Sequence, residues 1–143
     1  MRVLGIDFGE RRIGLAISDV SGTLASPVRA IDRRGSADDP VTLVLNVIDE
    51  MARDEPIDRV VVGLPRRLDG NDNAQTPHVR AFATALGARS GLTIDLQDER
   101  LSSREAEERL ALREKSWRKR KARLDAAAAA IVLQDYLDAR RGP

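Results

Sequence analysis

Residues 2–19, RVLGIDFGERRIGLAISD, decide how the rest of the chain is read. They form two β-prone runs around a short turn. Val3, Leu4, Ile6 and Phe8 are the apolar residues of a strand covered on both faces. Gly9 supplies a tight turn, and Ile13, Leu15 and Ile17 alternate with Gly14, Ala16 and Ser18 in a returning strand. The first strand carries one acid, Asp7. A carboxylate there loses its hydration and must find hydrogen bonds, a cation or a proton. Gly5, two residues away and therefore on the same face, leaves space beside it. Two roles are open to Asp7. It caps the turn through backbone N–H groups, or it is the central metal ligand of an active site to which other carboxylates are brought. The second is preferred, because two further acids fit it.

Composition sets the outer limits. A chain of 143 residues makes one domain, 1–143, with a real core but without room for two enzyme lobes. It has no cysteine, which excludes disulfides, thiolate zinc sites and a cysteine nucleophile. No apolar signal segment opens the sequence, and the one long apolar run, AAAAAIVL, is short of a membrane span. A soluble, cytoplasmic protein with no membrane partner is expected; the oligomeric state is not indicated. Net charge is +1, yet residues 113–123 hold seven basic residues against Glu114, a local +6 that leaves −5 on the remainder. One basic patch on an acidic body is an arranged charge.

Along the chain, residues 23–31 predict a third strand, with Pro27 placing it at a sheet edge or a bulge. Asp38 or Asp39 can cap a helix with Pro40 at its first position, whose apolar face is Val41, Val44, Leu45, Ile48 and Ala52, and which ends near Asp54 before Pro56. Residues 59–64 (RVVVGL) read as a central parallel strand, residues 76–89 as a second helix and residues 92–97 as a fifth strand. Three antiparallel strands followed by strand–helix repeats give an α/β fold, a mixed five-stranded sheet with helices on its faces.

The stretch DERLSSREAE (98–107) holds the second informative acid. Ser102 and Glu105 have capping-box spacing, so a helix is expected there with Glu99 in the turn before it. Ligand chemistry in open α/β sheets collects at the carboxyl ends of parallel strands, where Asp98, Glu99 and Asp7 would all lie. Complementing a helix dipole is the simpler account of Asp98. The third acid, Asp125, heads a stripe of Ala128, Ala129, Val132 and Tyr136 on a helix read over 124–139. Alanines let that helix lie close to the sheet. Asp125 on a first turn also suits plain capping. Together, Asp7, Glu99 and Asp125 could form an oxygen cage for Mg²⁺ or Mn²⁺, suited to phosphodiester hydrolysis.

The basic run precedes Asp125 directly. As a charge run it reads as a solvated loop; beside a metal site, its cations would neutralise backbone phosphates, with Trp117 stacking on an unpaired base. The candidate nucleic-acid contacts are Arg11, Arg12, Arg66, Arg67, Trp117, Arg118, Lys119, Arg120, Lys121 and Arg123. His78, the single histidine, follows Pro77 at a helix start and reads as a surface residue, and no nucleophile lies beside it to support a hydrolase triad.

GIDFGERRIGLAISD, VVVGLPRRLDG, DERLSSREAE and RKRKARLDAAAAAIVLQDYL resemble, in this order, the motifs of the YqgF/RuvX-type family. These are ribonuclease-H-like proteins described as pre-16S ribosomal RNA nucleases or as Holliday-junction-resolvase-like. The resemblance spans nearly the whole chain. It implies a ribonuclease-H-like fold with strand order 3-2-1-4-5, nuclease activity with Mg²⁺ or Mn²⁺, and a ribosomal RNA precursor as partner. The family's three acids fall on Asp7, Glu99 and Asp125. Ser102 and Ser103 stand where the family usually has Thr, and Arg66 and Arg67 where it has small residues. Resolvases of the wider superfamily use an additional acid, so junction cleavage is the alternative activity. Two readings of other classes remain: a nucleic-acid-binding module without catalysis, and a relative of the actin-like phosphate-loop ATPases. Against the latter, 143 residues offer no second lobe, and Glu10 would repel phosphate.

Overall fold

The computed structural model describes residues 1–99 and 117–141, the side chains of 117–125 and 141 excepted. The elements are β1 (Val3–Phe8), β2 (Arg12–Ser18), β3 (Ala25–Asp32), α1 (Pro40–Met51), β4 (Arg59–Pro65), α2 (Thr76–Ser90), β5 (Thr93–Glu99) and α3 (Trp117–Arg141). They build one five-stranded sheet in the order β3-β2-β1-β4-β5. β1 pairs antiparallel with β2 and parallel with β4, and β5 continues the parallel half. The mixed five-stranded sheet is what the order of apolar runs predicts, and its strand order is the ribonuclease-H-like one that the family resemblance implies.

Side-chain alternation divides the sheet into two covered faces. On one, Leu4, Ile6, Ile13, Leu15, Val60, Val62 and Leu64 pack with Val44 and Ile48 of α1 and Val79, Phe82 and Leu86 of α2. On the other, Val3, Ala16 and Val61 pack with Ala129, Leu133, Tyr136 and Leu137 of α3. The small residues explain how closely α3 lies. A Cβ added at Gly5 would sit 2.7 Å from Leu133 Cβ and 3.1 Å from the Ala129 carbonyl oxygen, so only glycine admits the helix. Asp39 caps α1, accepting from Thr42 N at 2.7 Å, and Pro40 takes the first helical position. In β3, Leu15 faces Arg29 while Ala16 faces Pro27, which leaves Val28 as the extra residue of a bulge. Pro27 therefore sits on an edge strand, where its missing N–H costs no ladder bond.

Most element ends shift by a residue or two from the sequence expectation, and three differences are larger or bear on the site. α1 ends at Met51 rather than near Asp54. β5 runs on through Asp98 and Glu99, because Leu64 and Pro65 extend the parallel ladder beside them. α3 begins at Trp117, so the basic residues 117–123 are helical rather than a loop, and Asp125 is well inside the helix rather than on its first turn. Arg, Lys and Ala are strong helix formers, and their propensity outweighs the solvated-loop appearance of a charge run. Capping no longer accounts for Asp125. The Ser102–Glu105 capping box and Ser103 lie outside the described residues. Among the described residues no helix is long and apolar enough to cross a membrane.

On the edge strand β5, two residues back from the level of Asp7, a polar group pins α3. Asp95 Oδ2 accepts from Arg59 Nη1 at 2.7 Å and from the Tyr136 hydroxyl, and Arg140 Nη1 donates to that hydroxyl oxygen at 3.2 Å. Burial pushes the Asp95 carboxyl up, but the bonds from Tyr136 and Arg59 outweigh it and its pKa falls below the ordinary 3.8. Because the folded-state pKa is depressed, this stabilisation is present above the unfolded value and is lost as pH falls through the folded one. Tyr136→Phe should therefore lower stability by about 1–2 kcal/mol at neutral pH, with the deficit narrowing as Asp95 protonates. Urea unfolding of both proteins across the acid range checks this; a deficit independent of pH would remove Asp95 from the account.

Candidate active site

α3 runs antiparallel to the parallel strands, and this direction sets the site. Tyr136 meets Asp95, which is level with Val61. Val132, one turn earlier, lies 3.1 Å from where a Cβ of Gly63 would be, two residues further along the same strand. Likewise Ala129 and Leu133 touch the Gly5 position of β1. Two residues on from Gly5, about 6.6 Å, stands Asp7. Four residues back from Ala129, about 6 Å along the helix, is position 125. The backbone thus brings position 125 level with Asp7, on the sheet face that α3 covers.

Asp7 is half-buried and enclosed by glycine positions. Gly14 is its partner on β2, and Gly63 comes beside it on β4, one step beyond the Ile6–Val62 pair. Glu99 belongs to the same face, in register with Pro65 at the end of β5. Its side chain folds back across β4. Glu99 Oε2 lies 2.5 Å, and Cδ 3.1 Å, from the point a Gly63 Cβ would occupy. The carboxylate therefore rests on the strand that separates it from Asp7. Two half-buried carboxylates on one face, at the carboxyl ends of β1 and β5, are hard oxygen donors of the kind Mg²⁺ and Mn²⁺ prefer. Among the described residues no group of three or more His, Cys, Asp or Glu could hold a metal ion. The third donor of the expected set is Asp125, of which the backbone alone is described.

The neighbouring acid goes the other way. Asp98 alternates to the face of α2 and pairs with Arg66 Nε at 3.5 Å. Arg66 also approaches Asp72 Oδ1 at 4.0 Å, so this candidate phosphate contact already has acidic partners on the face opposite Asp7. Arg67 is exposed in the turn closed by Gly70 N–H to the Arg67 carbonyl, with Asp69 at 4.0 Å. Arg11 is exposed in the β1–β2 turn. Arg12 is half-buried and, two residues before Gly14, shares the face of Asp7. The backbone of Trp117, Arg118, Lys119, Arg120, Lys121 and Arg123 forms the first turns of α3, which extend about 12 Å beyond position 125.

Two features escaped the sequence. Gly63 was read only as part of an apolar strand, although a glycine inside a strand is a known mark of close approach. Arg33, just past the end of β3, carries nothing in its sequence context that marks it out. It lies 4.6 Å over the Phe8 ring, which stacks on Phe82 at 4.2 Å, and donates to the Gly9 carbonyl at 2.7 Å. These groups line a cleft of about 420 Å³ on the face opposite Asp7, with His78 exposed at its rim.

The chain is similar to several known proteins. A family model described as "RuvX: Holliday junction resolvase" matches residues 1–139. A protein of Anaeromyxobacter dehalogenans (strain 2CP-C) named "Putative pre-16S rRNA nuclease" is 46% identical over 143 residues, all of both chains. A protein of the same name from Chloroflexus aggregans is 40% identical over 141 residues, 99% of this chain and 96% of its own. Among solved structures, Thermus thermophilus RuvC superposes with a TM-score of 0.57 at 20% identity, covering 99% of this chain and 97% of that one.

The opposite directions of Asp98 and Glu99 make a sharp contrast. Asp98→Asn breaks an exposed ion pair and should cost under about 1 kcal/mol, while leaving any Mn²⁺-induced rise in melting temperature at the wild-type value. Glu99→Gln should reduce that rise. Thermal melts with Mn²⁺ and with EDTA compare them, and equal behaviour of the two variants would contradict the face assignment.

Proposed function

Because the chain belongs to the RuvX family of Holliday junction resolvase-like nucleases, we propose that it is a divalent-metal-dependent nuclease that hydrolyses phosphodiester bonds in RNA, acting in the 5′-end maturation of pre-16S ribosomal RNA in the cytoplasm. The observation that carries this reading is the Glu99 carboxylate lying over Gly63 toward Asp7, on the sheet face that α3 crosses.

Asp7, Glu99 and Asp125 are assigned as the residues that would hold Mg²⁺ or Mn²⁺. Asp7 is the fixed member: β1 is hydrogen-bonded to a strand on each side, so its backbone has little freedom. Glu99 comes from the edge strand and reaches inward with its longer side chain. A divalent cation held there supplies positive charge against the reacting phosphate and makes water a stronger nucleophile at neutral pH. The chain's own cations handle the rest of the strand. Arg12 shares the face of Asp7 and suits an adjacent phosphate. The basic first turns of α3 reach past the end of the sheet, where they would track the backbone, with Trp117 stacking on a base. RNA is favoured over DNA by the names of the relatives at 40–46% identity. The family model's description favours a four-way DNA junction, which makes that substrate the necessary second arm of the assay.

Incubating the protein with single-stranded RNA, a pre-16S 5′ fragment and a four-way DNA junction, with Mn²⁺, Mg²⁺ or EDTA, tests the proposal. Cleavage of the RNA fragment should require metal. Asp7→Asn, Glu99→Gln and Asp125→Asn should each lose about 100-fold or more in rate while keeping wild-type circular dichroism. Activity that persists in EDTA, or undiminished in both aspartate variants, would falsify the assignment; faster cleavage of the junction would redirect it to DNA.

The basic turns give a separate readout. Replacing Arg118, Lys119, Arg120 and Lys121 by Ala keeps good helix formers and should barely alter stability. The slope of log affinity against log salt for single-stranded RNA should flatten by up to about 3, at roughly 0.7 per phosphate contact. An unchanged slope would show these residues to be a solvated helix end.

A further inference from the structure

Asp7 and Glu99 stand on strands that are not neighbours. β4 lies between β1 and β5, which separates the two backbones by two strand spacings, about 9.6 Å. Side chains on a sheet rise perpendicular to it, so whatever β4 presents between the acids stands in the path of Glu99. The side chains of Val61 and Pro65 occupy the alternate positions of that face, and Val61 is buried against α3. Between them the chain has Gly63.

We propose that Gly63 is a positioning residue: the space left by its missing side chain is where the Glu99 carboxylate lies, and this lets an acid on the edge strand reach across β4 toward the acid on the central strand. The inference rests on the metal-holding roles of Asp7 and Glu99 proposed above and deepens that reading. Its basis is the 2.5 Å between Glu99 Oε2 and a Gly63 Cβ position, with Cδ at 3.1 Å. Unbonded carbon and oxygen do not approach so closely, so a methyl group there must push the carboxylate aside by the order of 1 Å. The helix cannot give way instead. Val132 Cγ2 already lies 3.1 Å from the same point, and α3 is seated at Gly5 and tied at Asp95. The yielding group is thus the end of a flexible side chain. That displacement is cheap for folding and costly for a site whose groups must be held within about 0.5 Å.

The alternative is that Gly63 serves packing alone, by letting Val132 come close. The two roles differ in what they move. A packing role changes the melting temperature of the metal-free protein; a positioning role changes metal affinity and acts only through Glu99.

Gly63→Ala, Glu99→Gln and the double variant, each as the full chain, are titrated with Mn²⁺ while the melting temperature is followed, and are assayed on the RNA fragment. In EDTA, Gly63→Ala should melt within a few degrees of wild type, since a strand interior favours Ala over Gly by about 0.5–1 kcal/mol. Its half-saturating Mn²⁺ concentration should rise about tenfold or more, the usual result of disturbing a group that orients a ligand. On the Glu99→Gln background the same substitution should add nothing. Wild-type Mn²⁺ response in Gly63→Ala overturns the inference, as does a further full loss in the double variant or a large fall in melting temperature without metal. If wild type itself ignores Mn²⁺, or Glu99→Gln responds as wild type does, the metal-holding role of Glu99 fails and this inference falls with it. Intact responses in those two, with an unaffected Gly63→Ala, remove the inference alone.

Discussion

The contact of α3 with Gly5 of β1 is the constraint on which the rest depends. Leu133 Cβ and the Ala129 carbonyl occupy the space a side chain would need there. This sets the height of α3 above the sheet and, with the Tyr136–Asp95 bond, its direction and register. A helix lifted by even one methyl group would leave Val3, Ala16 and Val61 poorly covered and would draw position 125 away from Asp7. The same contact therefore closes the second core and fixes the relation between the sheet acids and the helix. At this contact, stability and site geometry are not separable.

The opposite face carries the larger aliphatic core, from Leu4 to Leu86, and no group assigned to the chemistry. The division follows from the period of two along β1, β4 and β5. Odd positions of β1 give Val3, Gly5 and Asp7 to α3, and even positions give Leu4, Ile6 and Phe8 to α1 and α2. A one-residue slip of β1 would bury Asp7 in the core beneath α1 and α2. Burial thus enforces the register that brings Asp7 to the face of α3.

Much of this was legible in the order of residues. An acid within an apolar strand, flanked by small residues, is costly without a compensating role, and Asp7 stood out for that reason. The mixed sheet followed from an antiparallel hairpin succeeded by strand–helix repeats, whereas its strand order came from the family resemblance. What escaped was whatever depends on distant partners. Asp98 and Glu99 are adjacent, and only the extension of the ladder past Gln97 shows that one faces α2 and the other α3. Arg66 looked like a free phosphate contact until Asp98 and Asp72 were seen beside it. The helical state of residues 117–123 was masked by their charge, although their intrinsic propensity favours it.

The placement of charge along the chain then has a physical reason. Carboxylates gathered to hold a cation also repel the polyanion whose backbone must reach it, and the body outside residues 113–123 carries a net −5. A compensating field has to come from nearby without entering the cage, where it would compete with the metal. Arg66 illustrates the hazard: a cation within reach of Asp98 and Asp72 is taken up by them. Residues 117–121 lessen this because they ride on the same helix as Asp125 but in its preceding turns, about 6 to 12 Å outward along the axis. At physiological salt the Debye length is about 8 Å, so the outermost of these positive turns, which lie beyond it, steer a strand toward the acids while contributing little to the potential among them. One continuous helix thereby separates attraction of the substrate from retention of the cation, which a loop of the same composition would not do.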